Sequence, residues 1–294
     1  MSSLQVAGGA VAGFSEWMDL LAPPHVRGLD AYQPGKPVEE LERELGIRGA
    51  IKVASNENPL GPSPRALAAL PEALSRQHLY PDAGGFSLRR AIAAHVGVGI
   101  EQIVLGAGSN DLLYQLVLGL CEPTDEVLSH RYAFLSYRLA AQVAGRPFVA
   151  APSSAALGCD VDALIAAFTP RTKLVILGTP NNPTGTVVTR GDLARILAAL
   201  PARALLIVDE AYAEYADAWP EVDHADGMAA LATDRWVMVL RTFSKIYGLP
   251  ALRIGWAYCP TGVFDVVQRI RTPFNTNGPA LAAALLVLTA PVVL

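Results

Sequence analysis

Short apolar runs alternate with longer segments of helical periodicity from about residue 101 onward. In order, the runs are QIVL, EVLSH, KLVIL, ALLIV and WVMVL, and the helical segments between them are SNDLLYQLVLGL, AFLSYRLAAQVAG and TRGDLARILAAL. Runs that are apolar at nearly every position are typical of strands buried on both faces, and intervening helices are typical of parallel connections. The pattern therefore predicts an α/β fold, a largely parallel sheet with helices on both faces.

Residues 1–100 follow a different pattern. Proline-rich connections dominate this part, and it contains a single helical pattern, SLRRAIAAHVGV. Because the residue before a proline is biased toward extended conformations, long helices are disfavoured in such connections. We therefore expect an arm and a lead-in to the sheet, and no independent domain.

The composition fits a globular protein with a substantial core. The chain has 294 residues, of which 52% are hydrophobic, and its formal net charge is −4. No run of Lys or Arg forms a basic stripe, so neither nucleic acid nor a membrane surface is an expected partner. A small anionic ligand is compatible with these features, because a pocket can be basic while the whole protein is acidic.

The cysteines and both termini predict a soluble cytoplasmic protein. Three widely spaced cysteines without a C-x-x-C pair argue against a disulfide framework and a zinc knuckle. The N-terminus lacks the charged region of a signal peptide, and the apolar segment ALAAALLVLTAPVVL is shorter than the roughly 20 residues of a membrane span. The histidines are scattered without metal-ligand spacing, so we expect no metal site.

Polar residues directly follow several predicted strands, at positions where α/β proteins bind ligands. Gly106 and Gly108 open a helix, which suits a phosphate but is also compatible with an ordinary glycine turn. Asn182 lies in the turn NNPTG, and Asp209 follows ALLIV, where a buried carboxylate needs a partner and a structural salt bridge would suffice. Lys245 follows the last run, beside a serine.

These features are weak singly, but their order matches the requirements of one cofactor. Pyridoxal phosphate needs a lysine amine for its covalent link, an acid for its pyridine nitrogen and donors for its phenolic oxygen. It also needs backbone amides, hydroxyls and an arginine for its phosphate. The sequence therefore predicts a pyridoxal 5'-phosphate site.

The same segments resemble those of the fold-type I aminotransferases and, within them, the histidinol-phosphate aminotransferases. The matching segments are YQPGKP, SNENPLGPSP, LYPDAGGFSLRRAIA, GAGSNDLL, TPNNPTGT, VDEAYAEY, RTFSKIYGLPALRIGW and RTPFNTN. The resemblance implies the fold of this class, with a mostly parallel seven-stranded sheet flanked by helices and an N-terminal arm. It implies an arm and lead-in over residues 1–60, a large cofactor-binding domain over 61–275 and the start of a small C-terminal domain over 276–294.

The resemblance also assigns catalytic and ring-binding roles. Lys245 would form the covalent link and move the substrate proton, and Asp209 would pair with the pyridine nitrogen. Tyr212 and Asn182 would donate to the phenolic oxygen, and Phe134 would stack on the ring.

The remaining implied contacts concern the phosphate and the substrate. Tyr80 would reach the phosphate of the neighbouring subunit, which implies a homodimer, and Tyr32 and Asn56 would contact the substrate. The phosphate itself would meet Gly108, Ser109, Thr242, Ser244 and Arg253.

The C-terminal part departs from the family. Its members carry a small C-terminal domain with an arginine for the substrate carboxylate, and no residue here matches that arginine. We therefore expect a shortened chain in which most of that domain is missing, with lower solubility and weaker amino-acid affinity. Arg271 is a candidate for a substrate phosphate or an ordinary helix-end charge, whereas Arg241 and Glu210 are interpreted as structural.

Several functions remain open from the sequence. The preferred one is transfer of an amino group from histidinol phosphate to 2-oxoglutarate, which gives imidazole-acetol phosphate and glutamate. An aromatic amino acid aminotransferase or a threonine-phosphate decarboxylase would use the same fold and cofactor. A non-catalytic cofactor-binding remnant is the alternative from another class.

Overall fold

A computed structural model of the chain describes residues 21–29, 35–232 and 236–288. The chain divides into two compact units, residues 1–33 and 34–294. The described part of the first unit contains one short helix, α1 (Pro24–Arg27). Tyr32, predicted to contact the substrate, lies outside the described residues.

The second unit is built from strands and helices that alternate along most of its length. Its strands are β1 (Ile103–Gly106), β2 (Glu126–His130), β3 (Phe148–Ala151), β4 (Thr172–Gly178), β5 (Leu205–Asp209), β6 (Val237–Thr242) and β7 (Gly255–Tyr258). Its helices are α2 (Val38–Leu45), α3 (Pro64–Ser75), α4 (Phe86–Val96), α5 (Ser109–Leu120), α6 (Leu135–Val143), α7 (Val161–Ala166), α8 (Arg190–Ala199), α9 (Ala213–Asp217), α10 (Thr261–Ile270) and α11 (Gly278–Leu288).

The strands form one seven-stranded sheet in the order β1-β7-β6-β5-β4-β2-β3. Neighbouring strands are parallel except at β7, which is antiparallel to both β1 and β6. The predicted α/β fold with a mostly parallel sheet is therefore confirmed. Strands β1, β4, β5 and β6 run in the same direction, so their carboxyl ends share one edge of the sheet.

Helices cover both faces of the sheet because successive strand residues face opposite sides. Ile207 belongs to the core formed with α5, α6 and α10, whereas its neighbour Val208 belongs to the core formed with α7 and α8. A third cluster joins α3, α4 and α11 to the sheet around the fully buried Phe243. The site loops are thus anchored on a sheet that is packed on both sides.

The segment before α4 contains more helix than its prolines predict. Pro64 occupies the first turn of α3, where a missing N–H removes no helical hydrogen bond, and the Ser63 hydroxyl accepts the Arg65 N–H at 3.2 Å. The apolar C-terminal segment forms α11, which packs against α3 and α4. None of the helices within the described ranges is long and apolar enough to cross a membrane.

Candidate active site

The polar residues singled out from the sequence gather at the sheet edge where β1, β4, β5 and β6 end. Gly108, Asn182, Asp209 and Lys245 lie at or just beyond these four strand ends. Neighbouring parallel strands bring such residues together although they are distant in the chain.

Lys245 lies in a tight turn after β6. Its main-chain carbonyl accepts the Gly248 N–H at 2.9 Å, and its side-chain amine donates to the Ser55 carbonyl oxygen at 3.1 Å. The amine lies 5.5 Å from the centre of the Tyr212 ring. Burial lowers the pKa of Lys245 and nearby Arg253 adds to this effect, while Glu57 and Asp209 oppose it. The amine is therefore easier to deprotonate than an ordinary lysine, as a nucleophile or base requires.

Asp209 is the last residue of β5 and is buried, with 6% of its surface exposed. One carboxylate oxygen accepts the Tyr137 hydroxyl at 3.0 Å, and the other accepts the Ala211 N–H at 3.2 Å. Burial raises the pKa of Asp209 to about 6, although both hydrogen bonds and Lys245 lower it. A protonated ring nitrogen would supply the cationic partner that this carboxylate needs when it is ionised.

Tyr137 was not predicted as a site residue. It projects from α6, is fully buried, and its pKa is raised well above the usual value by burial and by Asp209. The hydroxyl therefore keeps its proton and remains a donor to the carboxylate. The only sequence signal was its position three residues after Phe134, at a spacing that places both on one helical face.

The Tyr212 hydroxyl is held by two amides. It accepts the Asn56 side-chain amide at 2.9 Å and the Asn182 side-chain amide at 3.4 Å. Since both contacts use hydroxyl lone pairs, the phenolic proton of Tyr212 is available to a further acceptor. Asn56, predicted to contact the substrate, thus lies beside Tyr212.

The loop from Gly106 to Ser109, which we call the cradle, is arranged in a way that suits an anion. Gly108 adopts φ +92°, a conformation that other residues rarely tolerate, and precedes α5 without a side-chain cap. A side chain at Gly108 would come within 2.6 Å of the Arg253 guanidinium. That guanidinium donates to the Ala107 carbonyl at 3.1 Å, so a positive charge lies against a helix N-terminus with free N–H groups.

Two hydroxyl residues lie across from this cradle at the end of β6. Thr242 and Ser244 are both buried, and the Thr242 hydroxyl accepts the Ser244 N–H at 3.1 Å. Thr242 pairs with Gly255 in the sheet, and Gly255 pairs in turn with Gly106. The hydroxyls at the end of β6 and the loop after β1 therefore lie on either side of Gly255, the first residue of β7.

Gly255→Ala tests how closely these strands must approach. A methyl group at Gly255 would lie 2.4 Å from the Ser109 amide nitrogen. We expect a loss of about 1–3 kcal/mol of unfolding free energy in urea, together with weaker binding of inorganic phosphate. Gly262→Ala, where nothing lies within 4 Å of the added methyl group, is the matched control. Equal effects of the two substitutions would contradict the proposed close packing.

The other predicted residues lie around this centre. Phe134 precedes α6, and its ring meets Tyr137 edge-on at 5.8 Å. Tyr80 is 82% exposed, and its ring stacks on Phe274 with centroids 4.5 Å apart. Arg271 donates to Gln268 at 2.8 Å and to Asn275 at 3.2 Å.

The interpretation of Glu210 and Arg241 as structural agrees with their geometry. Two guanidinium nitrogens of Arg241 contact one Glu210 oxygen at 2.7 and 2.8 Å, and Glu210 is almost fully buried. This ion pair joins the ends of β5 and β6.

Together these groups fit a planar cofactor that carries a phosphate, a basic ring nitrogen and a carbonyl group. The cradle suits the phosphate, Asp209 suits the nitrogen, and the Lys245 amine suits the carbonyl carbon. No group of three or more His, Cys, Asp or Glu side chains in the described part of the chain is arranged to hold a metal ion.

Comparison with known proteins places this chain in a family. The sequence matches the family described as aminotransferase class I and II over residues 48–291. The histidinol-phosphate aminotransferase of Anaeromyxobacter sp. is 48% identical, with 90% of this chain and 71% of the relative covered. Histidinol-phosphate aminotransferase 1 of Nitrosococcus oceani is 46% identical, with 90% and 70% covered.

A solved structure gives the same result. The histidinol-phosphate aminotransferase from Sinorhizobium meliloti, in complex with pyridoxal-5'-phosphate, superposes with a TM-score of 0.80 and 29% identity, covering 91% of this chain and 70% of that chain. This chain therefore spans about 70% of the length of these relatives. With the family match extending over most of its residues, the chain belongs to the class I and II aminotransferase family.

Proposed function

We propose that the chain uses pyridoxal phosphate to transfer the amino group of histidinol phosphate to 2-oxoglutarate. The observation that carries this proposal is the convergence of a lysine amine of lowered pKa, a buried carboxylate and an anion cradle. The substrate is supported by relatives of 42–48% identity that are named histidinol-phosphate aminotransferases.

Each residue then has a defined task. Bound pyridoxal phosphate supplies an electron-accepting ring that makes the proton on the substrate's α-carbon acidic. Lys245 Nζ removes that proton as general base, because its lowered pKa keeps a share of the amine neutral. Asp209 holds positive charge at the ring nitrogen, and Tyr212 presents its free phenolic proton to the ring oxygen. Arg253, with the N-terminus of α5, fixes the phosphate.

A test with competing donors separates the candidate functions. Purified protein with pyridoxal phosphate and 2-oxoglutarate should form glutamate fastest from histidinol phosphate. Faster glutamate formation from phenylalanine or tyrosine would identify an aromatic amino acid aminotransferase, and release of carbon dioxide from threonine phosphate would identify a decarboxylase. Cofactor binding without turnover of any donor would identify a binding protein.

We also propose that the chain acts as a cytoplasmic homodimer. Tyr80 and several apolar side chains before it are largely exposed, among them Ile51 at 88%, Val53 at 91% and Leu60 at 74%. A second copy would cover this surface. The three cysteines are free, in keeping with a reducing compartment. Sedimentation equilibrium should give twice the chain mass, and a monomer at all concentrations would contradict the dimer.

A further inference from the structure

We infer that Arg241, Glu210, Glu214 and Tyr247 form a clamp of positioning residues that holds the Lys245 turn against the segment carrying Asp209 and Tyr212. The inference rests on the proposed function of this site. None of the four residues needs to touch the substrate, because each acts on the two chain segments that carry the reacting groups.

The clamp begins with the ion pair between strands. The Glu210 carboxylate accepts the Gly227 N–H with one oxygen and the Arg241 guanidinium with the other, at 2.7 and 2.8 Å. Both oxygens of this buried carboxylate therefore accept hydrogen bonds. Glu210 is the residue after Asp209, so its position fixes the end of β5.

The clamp continues through a second carboxylate. Another nitrogen of Arg241 lies 3.8 Å from Glu214, and the charge of Glu214 also acts on the Tyr247 hydroxyl. Burial and Glu214 raise the pKa of Tyr247, so its hydroxyl keeps its proton near that carboxylate. The Tyr247 ring packs on the fully buried Phe243 with centroids 5.2 Å apart.

The spacing of the clamp explains what it controls. Its two carboxylates, Glu210 and Glu214, lie two residues on either side of Tyr212. Its other two members, Arg241 and Tyr247, lie on either side of Lys245. The contacts therefore connect two short segments at both ends, which fixes the Lys245 amine 5.5 Å from the Tyr212 ring.

The test measures Lys245 directly in cofactor-free protein. An amine-acylating reagent is applied over a pH series, and the labelled fraction of each of the four native lysines is followed on its own peptide by mass spectrometry, apart from any lysine that a substitution introduces. Arg241→Lys and Tyr247→Phe both preserve the net charge. If the clamp holds the turn in place, loosening it hydrates the amine, so the labelling midpoint of Lys245 should rise by about one pH unit in either variant.

The matched control breaks a similar ion pair on the opposite edge of the sheet. Arg171 contacts the buried carboxylate of Glu126, the first residue of β2. Arg171→Lys should leave the Lys245 midpoint unchanged, with Lys173 as an internal reference in every sample. Unchanged Lys245 midpoints in both clamp variants, or an equal rise in Arg171→Lys, would overturn the inference.

This readout also separates the clamp from the proposed function. Labelling requires no cofactor, so it remains informative even if wild-type protein fails to develop visible absorption with pyridoxal phosphate. That failure would refute the proposed function alone. If the wild-type protein does develop this absorption, each clamp variant should also bind pyridoxal phosphate about tenfold more weakly than wild type. The double variant should lose less than a hundredfold in affinity, because residues that act as a unit do not have additive effects.

Discussion

Replacing Lys245 with alanine should lower the rate of glutamate formation from histidinol phosphate by at least about 10³-fold, since proton transfer by a positioned base contributes on this scale. The substitution also removes the amine that would link to the cofactor. The Lys245 amine contacts the Ser55 carbonyl and lies 5.5 Å from the centre of the Tyr212 ring, so alanine removes it from the centre of the proposed site. Initial rates at saturating substrate are the appropriate measurement.

Two further variants make this result interpretable. Lys173→Ala changes a lysine on β4 and should retain the wild-type rate. Lys245→Arg keeps a positive charge but cannot act as a neutral amine near pH 7, so it should be as inactive as the alanine variant. A Lys245→Ala protein with the wild-type rate would rule out the assigned role.

Asp209→Asn should lower the same rate by about 10²-fold to 10⁴-fold, which corresponds to the 3–5 kcal/mol cost of breaking a buried ion pair. The asparagine keeps the size of the side chain but cannot balance the charge of a protonated ring nitrogen. Asp162→Asn, at an exposed carboxylate, is the control and should have no effect. Equal rates for wild type and Asp209→Asn would show that the carboxylate charge is not used.

In cofactor-free protein, the same substitution should increase stability relative to wild type as the pH rises. The pKa of Asp209 is about 6 when folded, against 3.8 for an unperturbed aspartate. Because the folded pKa is raised, the folded state holds this proton more tightly, and stability is lost as pH rises from about 4 through about 6. Two pKa units correspond to about 3 kcal/mol.

Urea unfolding at several pH values checks this prediction. The unfolding free energy of Asp209→Asn minus that of wild type should increase by about 3 kcal/mol between pH 4 and pH 7. Above the folded pKa the difference should stay constant. A difference that does not vary with pH would mean that the Asp209 carboxylate is not protonated preferentially in the folded state.

The sequence predicted the fold and the positions of several site residues for the same physical reason. A buried strand appears in the sequence as an unbroken apolar run. The polar residue that follows this run must lie at the edge of the sheet where the strand ends. Asp209 and Lys245 were found in this way. Strands β3 and β7 were not, because β3 is a half-exposed edge strand and β7 begins at a glycine.

Other parts of the site depend on tertiary contacts that residue types do not specify. Tyr137 reaches Asp209 only because of how α6 packs on the sheet. Ser55 contributes a main-chain oxygen, which any residue could provide. Gly255 is required by the approach of two backbones, and this approach becomes visible only when β1 and β7 are paired.

The pairing of β1 with β7 has a consequence for folding. It joins the first and last strands of the described sheet, so the cradle after β1 is completed only when Gly106 meets Gly255. Contacts between residues so distant in sequence close large loops and are expected to form late. A ligand that needs this cradle therefore recognises the finished sheet and stabilises it by mass action. Cofactor supply would then govern how many newly made chains persist, as well as how fast each one works.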